Sequence, residues 1–172
     1  AGAAAEGGAS LHEVVRLTEK AASQLRTFGV ALSPMTLPSA GRPTFELPEG
    51  QMELGMGIHG EAGISRGPLD SADRVADQLL DAILKDMPLS HGSRVAVLLN
   101  GLGATPQEEL YVMYRHVHAR LKDAGVEIHR PYIGEFVTSL EMAGASLSLL
   151  RLDDELTPLI DAPATTPFFK QS

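Results

Sequence analysis

The order of helices and strands predicts a two-layer α/β fold, with a mixed sheet of about six strands and helices on one face. Helical and strand patterns alternate in the first part of the chain, and strands then follow one another after the third helix. The length of 172 residues is sufficient for one domain with a substantial core.

The helices are predicted from apolar residues at helical spacing and from residues suited to helix ends. Ser10 and Glu13 form a capping box at the start of the first helix, and Gly29 is a natural stop. Thr105 is expected to cap the third helix, with Pro106 at its first helical position. The predicted helices cover residues 11–28, about 71–86 and about 106–124, with a short final helix within 153–161.

The strands are predicted from short apolar or alternating runs that are bounded by turn residues. The last two, FVTSLEM and ASLSLLRL, are expected to form a hairpin joined at Ala143 and Gly144. The predicted strands lie at the start of residues 30–38 and within 51–59, 94–99, 126–134, 136–142 and 145–152.

Composition and charge exclude several classes of protein. The net charge of −8, without any cluster of Lys or Arg, argues against a nucleic-acid-binding surface. No apolar run approaches the roughly 20 residues of a transmembrane helix, and no signal peptide is visible, so a cytoplasmic protein is expected. The absence of cysteine excludes disulfides and thiolate metal sites.

His59 is the best candidate for chemistry. In the predicted strand it shares a face with Gly55 and Gly57, and Gly60 follows at once. Glycines on one strand face leave room for a ligand or for another backbone. A slot with one nucleophilic nitrogen at its end suits a small carbonyl compound. The alternative is a structural histidine at a strand end, beside glycines that serve a bulge.

The remaining polar candidates are expected to be structural. NGLGATP precedes a capped helix, but it lacks the lysine of a Walker A loop and the GxGxxG pattern, which favours a tight turn over a phosphate site. Asp153 and Asp154 are expected to cap a helix, and Arg66 to lie on the surface. No metal-ligand spacing is present. Structural or exposed positions are expected for the other histidines, His12, His91, His116, His118 and His129.

The run GMGIHGEAG, residues 55–63, resembles the most characteristic motif of the dihydroxyacetone kinase substrate-binding (K) subunit, in the second domain of the Dak1-type family. Three further stretches resemble that domain in the same order: GVALSPMTLP, LNGLGATPQEELY and VTSLEMAGASLSLLRLDDEL. The resemblance as a whole extends over about residues 3–164. One departure is Ala62, which stands where the motif usually has proline.

The resemblance implies a role for each site residue. His59 would add to the ketone of dihydroxyacetone as a covalent hemiaminal, with Gly57 and Gly60 binding the substrate beside it. Phosphate would then pass to a hydroxyl from a nucleotide on a separate L domain or subunit, where ATP or ADP with magnesium is expected, so no cofactor and no metal are expected in this chain. Whether ATP or a phosphotransferase relay supplies the phosphate stays open. A homodimer without nucleic-acid or membrane partners is also implied.

The resemblance also implies an incomplete enzyme, because nothing here matches the binding loop, the histidine base or the aspartate acid of the family's first domain. Residues 1–10 are therefore interpreted as a linker from a missing first domain, 11–164 as the second domain and 165–172 as an irregular tail. Two alternatives stay open. One is a non-catalytic ketose-sensing or partner-interaction module, and the other is a kinase subunit for a related ketose such as erythrulose.

Overall fold

The computed structural model describes residues 1–58 and 61–172. Within these residues the helices are α1 Gly2–Glu6, α2 Leu11–Ser23, α3 Ala72–Asp86, α4 Gln107–Asp123 and α5 Leu156–Asp161. The strands are β1 Leu25–Ala31, β2 Gln51–Leu54, β3 Ser65–Pro68, β4 Arg94–Gly101, β5 Glu127–Gly134, β6 Gly144–Leu152, β7 Ala164–Thr165 and β8 Lys170–Gln171.

Six of the strands form one sheet in the order β3-β2-β1-β6-β4-β5. β2 is antiparallel to both β1 and β3, whereas β4 and β5 are parallel. The sheet is therefore mixed, and the predicted α/β fold with about six strands is confirmed. β7 and β8 form a separate two-stranded pair.

The chain divides into two compact units. The terminal unit contains residues 1–25 and 150–172, and the central unit contains residues 26–149. In the terminal unit, Lys20 forms an ion pair with Asp153 at 2.5 Å and Arg16 forms one with Glu155 at 2.7 Å. Asp153 also accepts the N–H groups of Glu155, the N-cap residue of α5, and of Leu156, its first residue, at 3.0 and 2.9 Å.

The core of the central unit lies between the sheet and the two long helices α3 and α4. Alternate residues of β4 and β6 point into it, because side chains alternate across a strand. Both helices bury an apolar stripe in the same core, so they cover one face of the sheet. The fully buried core residues include Leu79, Leu80, Leu99, Leu110, Leu121, Leu147 and Leu149.

The first long helix is shorter than predicted, and the first strand begins earlier. α2 ends at Ser23 and β1 starts at Leu25, whereas the sequence predicts a helix over 11–28. Phe28 packs against the main core and Val30 is buried within it, so these apolar residues serve the sheet. Leu25 and Phe28 also continue the helical spacing of the apolar residues before them, which is why periodicity alone placed the boundary wrongly.

The strand predicted over residues 51–59 ends at Leu54. Gly55 turns the chain with φ +80°, and its N–H donates to the Gly29 carbonyl at 2.7 Å. The alternation that continues beyond Leu54 therefore does not describe a strand. The expectation that Gly55 and Gly57 share one strand face is wrong.

Residues 136–142 form a loop, so the predicted C-terminal hairpin is also wrong. The Asn100 side chain accepts the N–H groups of Phe136 and Val137 at 2.8 and 2.9 Å and donates to the Val137 carbonyl at 2.8 Å. Leu140 then adopts φ 54°, which a strand cannot accommodate. β6 instead lies between β1 and β4.

Thr105 does not cap α4. Its buried hydroxyl donates to the Gly144 carbonyl at 2.7 Å and accepts the Gly144 N–H at 2.8 Å. Pro106 occupies the N-cap position and makes no side-chain cap.

The two chain ends contain short regular elements. α1 lies within the segment predicted as a linker, residues 1–10. The β7–β8 pair lies at the start of the segment predicted as an irregular tail, residues 165–172, and within it. The predicted domain boundaries themselves stay predictions.

Candidate functional site

Two of the predicted site residues, His59 and Gly60, lie outside the described residues. The third, Gly57, is described and half-buried. A Cβ at Gly57 would overlap the carboxylate of Glu61, which therefore packs directly over this glycine. The segments before and after residues 59–60 consequently touch each other at Gly57.

A cavity of about 350 Å³ borders the segment that leads to residue 59. Its volume falls in the range of small-molecule sites. Both glycines of the predicted slot line it, although they do so from a turn and not from a strand. The lining residues are Thr27, Phe28, Gly29, Gly55, Met56, Gly57, Ile58, Leu102 and Ser146.

Glu53 is a buried carboxylate that the sequence did not single out. It accepts the Gly63 N–H at 2.7 Å, and Arg66 donates to it from two nitrogens at 2.6 and 3.1 Å. The Arg66 hydrogen bond lowers the pKa of Glu53, as does the Gly63 N–H, while burial acts in the opposite direction. Arg66, predicted as a surface residue, is thus half-exposed and bound to a carboxylate.

Ser139 is the second residue that sequence reasoning missed. It is only 3% exposed, and its hydroxyl donates to the Ile58 carbonyl at 2.5 Å. Ile58 is the residue immediately before His59. Because the sequence predicts a strand over 136–142, nothing in the pattern indicated that this hydroxyl reaches the motif.

The glycine-rich turn after β4 does not fit a phosphate group. The N–H groups of three consecutive residues already have protein partners: Leu102 donates to Gly144, Gly103 to Glu135 and Ala104 to Met142. The first turn of α4 also carries two glutamates, which would repel an anion. The interpretation as a tight turn is therefore favoured, and these residues do not fit a nucleotide.

The other polar groups have structural surroundings. His116 bonds Asp77 at 2.8 Å between α3 and α4, and the ring of His118 packs edge-on against Tyr114. Within residues 1–58 and 61–172, no three acidic or histidine side chains converge as metal ligands would. None of the helices formed by these residues has the length and hydropathy that crossing a bilayer requires.

Residues 1–168 match the family model described as the Dak1 domain. The chain belongs to the Dak1 domain family. Its sequence is 48% identical over 170 residues to PTS-dependent dihydroxyacetone kinase 2, dihydroxyacetone-binding subunit DhaK, of Listeria innocua, covering 99% of this chain and 51% of that protein. It is also 48% identical over 171 residues to D-erythrulose kinase of Mycolicibacterium smegmatis, covering 99% and 30%.

Solved structures confirm the fold of this Dak1 domain. The dihydroxyacetone kinase from C. freundii in complex with AMP-PNP and Mg²⁺ superposes with a TM-score of 0.84 at 31% identity, covering 98% of this chain and 31% of that one. The dihydroxyacetone kinase operon co-activator Dha-DhaQ gives 0.88 at 29% identity, covering 94% and 50%. This Dak1 domain spans about half the length of the dihydroxyacetone-binding subunit that it matches.

Proposed function

We propose that this chain is the ketose-anchoring half of a dihydroxyacetone kinase subunit, in which His59 binds the substrate covalently. The observation that carries the proposal is the cavity of about 350 Å³, which borders Ile58 and is lined by Gly29, Gly55 and Gly57. Ile58 immediately precedes the histidine of a motif typical of the family. The 48% identity to a dihydroxyacetone-binding subunit over nearly the whole chain supports the choice of ligand.

The chemistry is a reversible addition. A neutral imidazole nitrogen of His59 attacks the carbonyl carbon, the electron pair of the C=O bond moves to oxygen, and that oxygen takes a proton. The other ring nitrogen gives up its proton, so the hemiaminal is neutral and nothing leaves. An imidazole is largely unprotonated and nucleophilic near neutral pH. One covalent bond holds a small, flexible triose more firmly than a few hydrogen bonds would.

Two glycines border the cavity at the segment that leads to residue 59. A Cβ at Gly29 would lie 2.7 Å from the Met56 carbonyl, so a side chain there would require the backbone to move, whereas a Cβ at Gly57 would first meet the flexible carboxylate end of Glu61. Gly29 therefore allows the Met56 backbone to lie directly against β1 at the wall of the cavity. Gly57 and Gly60 are proposed to border the bound ketose, as the family motif implies.

The phosphoryl donor is proposed to lie on another domain or subunit. The turn after β4 has no N–H group available for phosphate among residues 102–104, because each of these is bonded to the protein. ATP or ADP with magnesium on an L domain or subunit fits this arrangement. A homodimer and a cytoplasmic location also stay proposals.

Erythrulose is the second candidate substrate, because an erythrulose kinase is as similar to this chain as the dihydroxyacetone-binding subunit is. The two ketoses differ by one hydroxymethyl group. Native mass spectrometry with equal concentrations of both ketoses would rank them by the fraction of chain that each one modifies. A preference for erythrulose would replace the triose in this proposal while leaving the role of His59 intact.

A non-catalytic ketose sensor is the third possibility, since the co-activator shares the fold. The decisive experiment is native mass spectrometry of the wild-type chain, His59→Ala and the control His91→Ala with dihydroxyacetone, and with glycerol, which has no carbonyl. With dihydroxyacetone we expect an adduct of one triose on wild type and on His91→Ala but not on His59→Ala. With glycerol we expect no adduct on any of the three proteins. A chimera in which this chain replaces the matching half of the Listeria subunit then separates kinase from sensor, because only a kinase turns over with the donor partner present.

Absence of an adduct from both the isolated wild-type chain and the chimera would refute the covalent role. An adduct on the chimera alone would show that the other half contributes to the pocket. An adduct without phosphoryl transfer in the chimera would favour the sensor.

A further inference from the structure

The chain immediately before His59 is fixed by one buried hydroxyl. Ser139 donates to the Ile58 carbonyl at 2.5 Å, and its own N–H donates to the Leu102 carbonyl at 2.8 Å. Ser139 and Leu102 are buried and Ile58 is half-buried, so the Ser139 hydroxyl is largely shielded from water. The position of the Ile58 carbonyl therefore depends on where the Ser139 loop holds its hydroxyl.

The Ser139 loop is itself tightly constrained. Leu140 adopts φ 54°, a conformation that side-chain-bearing residues rarely take, and the Met142 N–H closes the turn onto the Ser139 carbonyl at 3.1 Å. The Leu140 carbonyl packs so closely on Gly103 that a Cβ there would overlap it. This fit leaves the Ser139 hydroxyl little freedom to move.

The chain after residue 60 is fixed by a separate buried group, Glu53. Its carboxylate accepts the Gly63 N–H at 2.7 Å and is held by Arg66, its cross-strand neighbour in the β2–β3 pair. A Cβ at Gly63 would lie 2.6 Å from the Glu53 Cγ, so the backbone approaches the carboxylate as closely as glycine allows. The Leu54 carbonyl accepts the Ile64 N–H at 2.8 Å beside this contact.

We propose that Ser139 and the Glu53–Arg66 pair are positioning residues for His59, because they hold the chain on both sides of residues 59 and 60. The inference rests on the proposed function of His59. Addition to a carbonyl requires the nitrogen to approach one carbon atom at a defined distance and angle, and a displacement of about 1 Å is sufficient to reduce such a reaction strongly. Two independent anchors on a short segment supply that precision.

Hydrogen exchange tests the positioning itself, whether or not a ketose is bound. Ser139→Ala is compared with Ser93→Ala, which also removes a serine hydroxyl bonded to a loop backbone group. Ser93 directly precedes β4 and Leu102 directly follows it, so the two residues are separated by the length of the strand, roughly 25 Å. We expect amides of residues 55–64 to exchange about tenfold faster in Ser139→Ala than in Ser93→Ala. Equal exchange would overturn the role of Ser139.

The affinity for dihydroxyacetone tests the consequence. Glu53→Gln removes the charge that holds Arg66, and Asp77→Asn removes a matched carboxylate that pairs with His116 and Arg120 between α3 and α4. The variants are compared under conditions in which their free energies of unfolding are equal. We expect the equilibrium constant for formation of the triose adduct to fall about tenfold in Glu53→Gln and Ser139→Ala but not in Asp77→Asn. Ser139→Thr, which retains the hydroxyl, should recover much of the loss.

Each outcome decides one claim. Adduct affinities that are the same in Glu53→Gln, Ser139→Ala and Asp77→Asn would overturn the positioning role while leaving the proposed function intact. A wild-type chain and chimera without any adduct would refute the proposed function. In that case, equal exchange rates at residues 55–64 would overturn the role of Ser139 as well, and faster exchange in Ser139→Ala would retain Ser139 as a support of the motif.

Discussion

Replacement of Gly29 by alanine should damage the site through one steric contact. The new Cβ would lie 2.7 Å from the Met56 carbonyl oxygen, whereas ordinary van der Waals contact begins near 3.4 Å. The Met56 carbonyl would therefore have to move by several tenths of an ångström, and it belongs to the segment that leads to His59. Overpacking of this kind costs about 1–3 kcal/mol of stability.

Gly67→Ala is a matched control on the same sheet. Gly67 lies in β3, and a Cβ there would meet nothing within 4 Å. Since alanine loses less backbone entropy than glycine on folding, this variant should be neutral or more stable by about 0.4–1 kcal/mol. Denaturant unfolding of both variants measures the difference, which we expect to be about 2–3 kcal/mol.

The same pair of variants tests the link to function. Under conditions in which both are fully folded, Gly29→Ala should bind dihydroxyacetone at least tenfold more weakly than Gly67→Ala. Equal stability and equal adduct formation would refute the steric account of the cavity. A loss of stability with normal adduct formation would show that the Met56 carbonyl moves without disturbing His59.

Three further predictions concern stability. The pKa of Glu53 is lowered by its guanidinium partner, so the stabilisation that it provides is present above the ordinary carboxyl pKa and is lost as pH falls through the folded value. Acid-titrated unfolding should therefore be less steep in Glu53→Gln. Thr105→Val should cost about 2–3 kcal/mol because two buried hydrogen bonds to β6 are lost, whereas the exposed Thr18→Val should cost under about 1 kcal/mol. Leu147→Ala should cost about 2–5 kcal/mol in the fully buried core, against little for the 80% exposed Leu11→Ala, as denaturant melts would show.

The sequence predicted the sheet and the long helices well where the apolar pattern had one interpretation. α3 and α4 begin and end within a few residues of the predicted bounds, and β4 and β6 are strands as expected. Residues 25–28 were assigned to the helix wrongly because Leu25 and Phe28, three apart, continue the apolar face of the preceding helix. Only the tertiary packing of Phe28 decides between helix and strand.

The site was harder to predict because its supports are distant in sequence. Asn100 bonds the backbone of the 136–137 segment, and Ser139 reaches back 81 residues to Ile58. Neither bond can be predicted from the residues near it in sequence, and the apolar residues of FVTSLEM are spaced as in a strand although the segment is a loop. Motif resemblance identified the segment around His59, but physical periodicity could not reveal what holds that segment in place.

The most direct test of the central claim is a carbon NMR spectrum of the chain with dihydroxyacetone labelled at its carbonyl carbon. We predict a bound signal that moves from the ketone region to that of a tetrahedral carbon bonded to nitrogen and oxygen. This signal should be absent with His59→Gln and present with the control His91→Gln. A bound substrate that keeps its ketone signal, or a tetrahedral signal that survives in His59→Gln, would contradict the assignment of His59 as the covalent anchor.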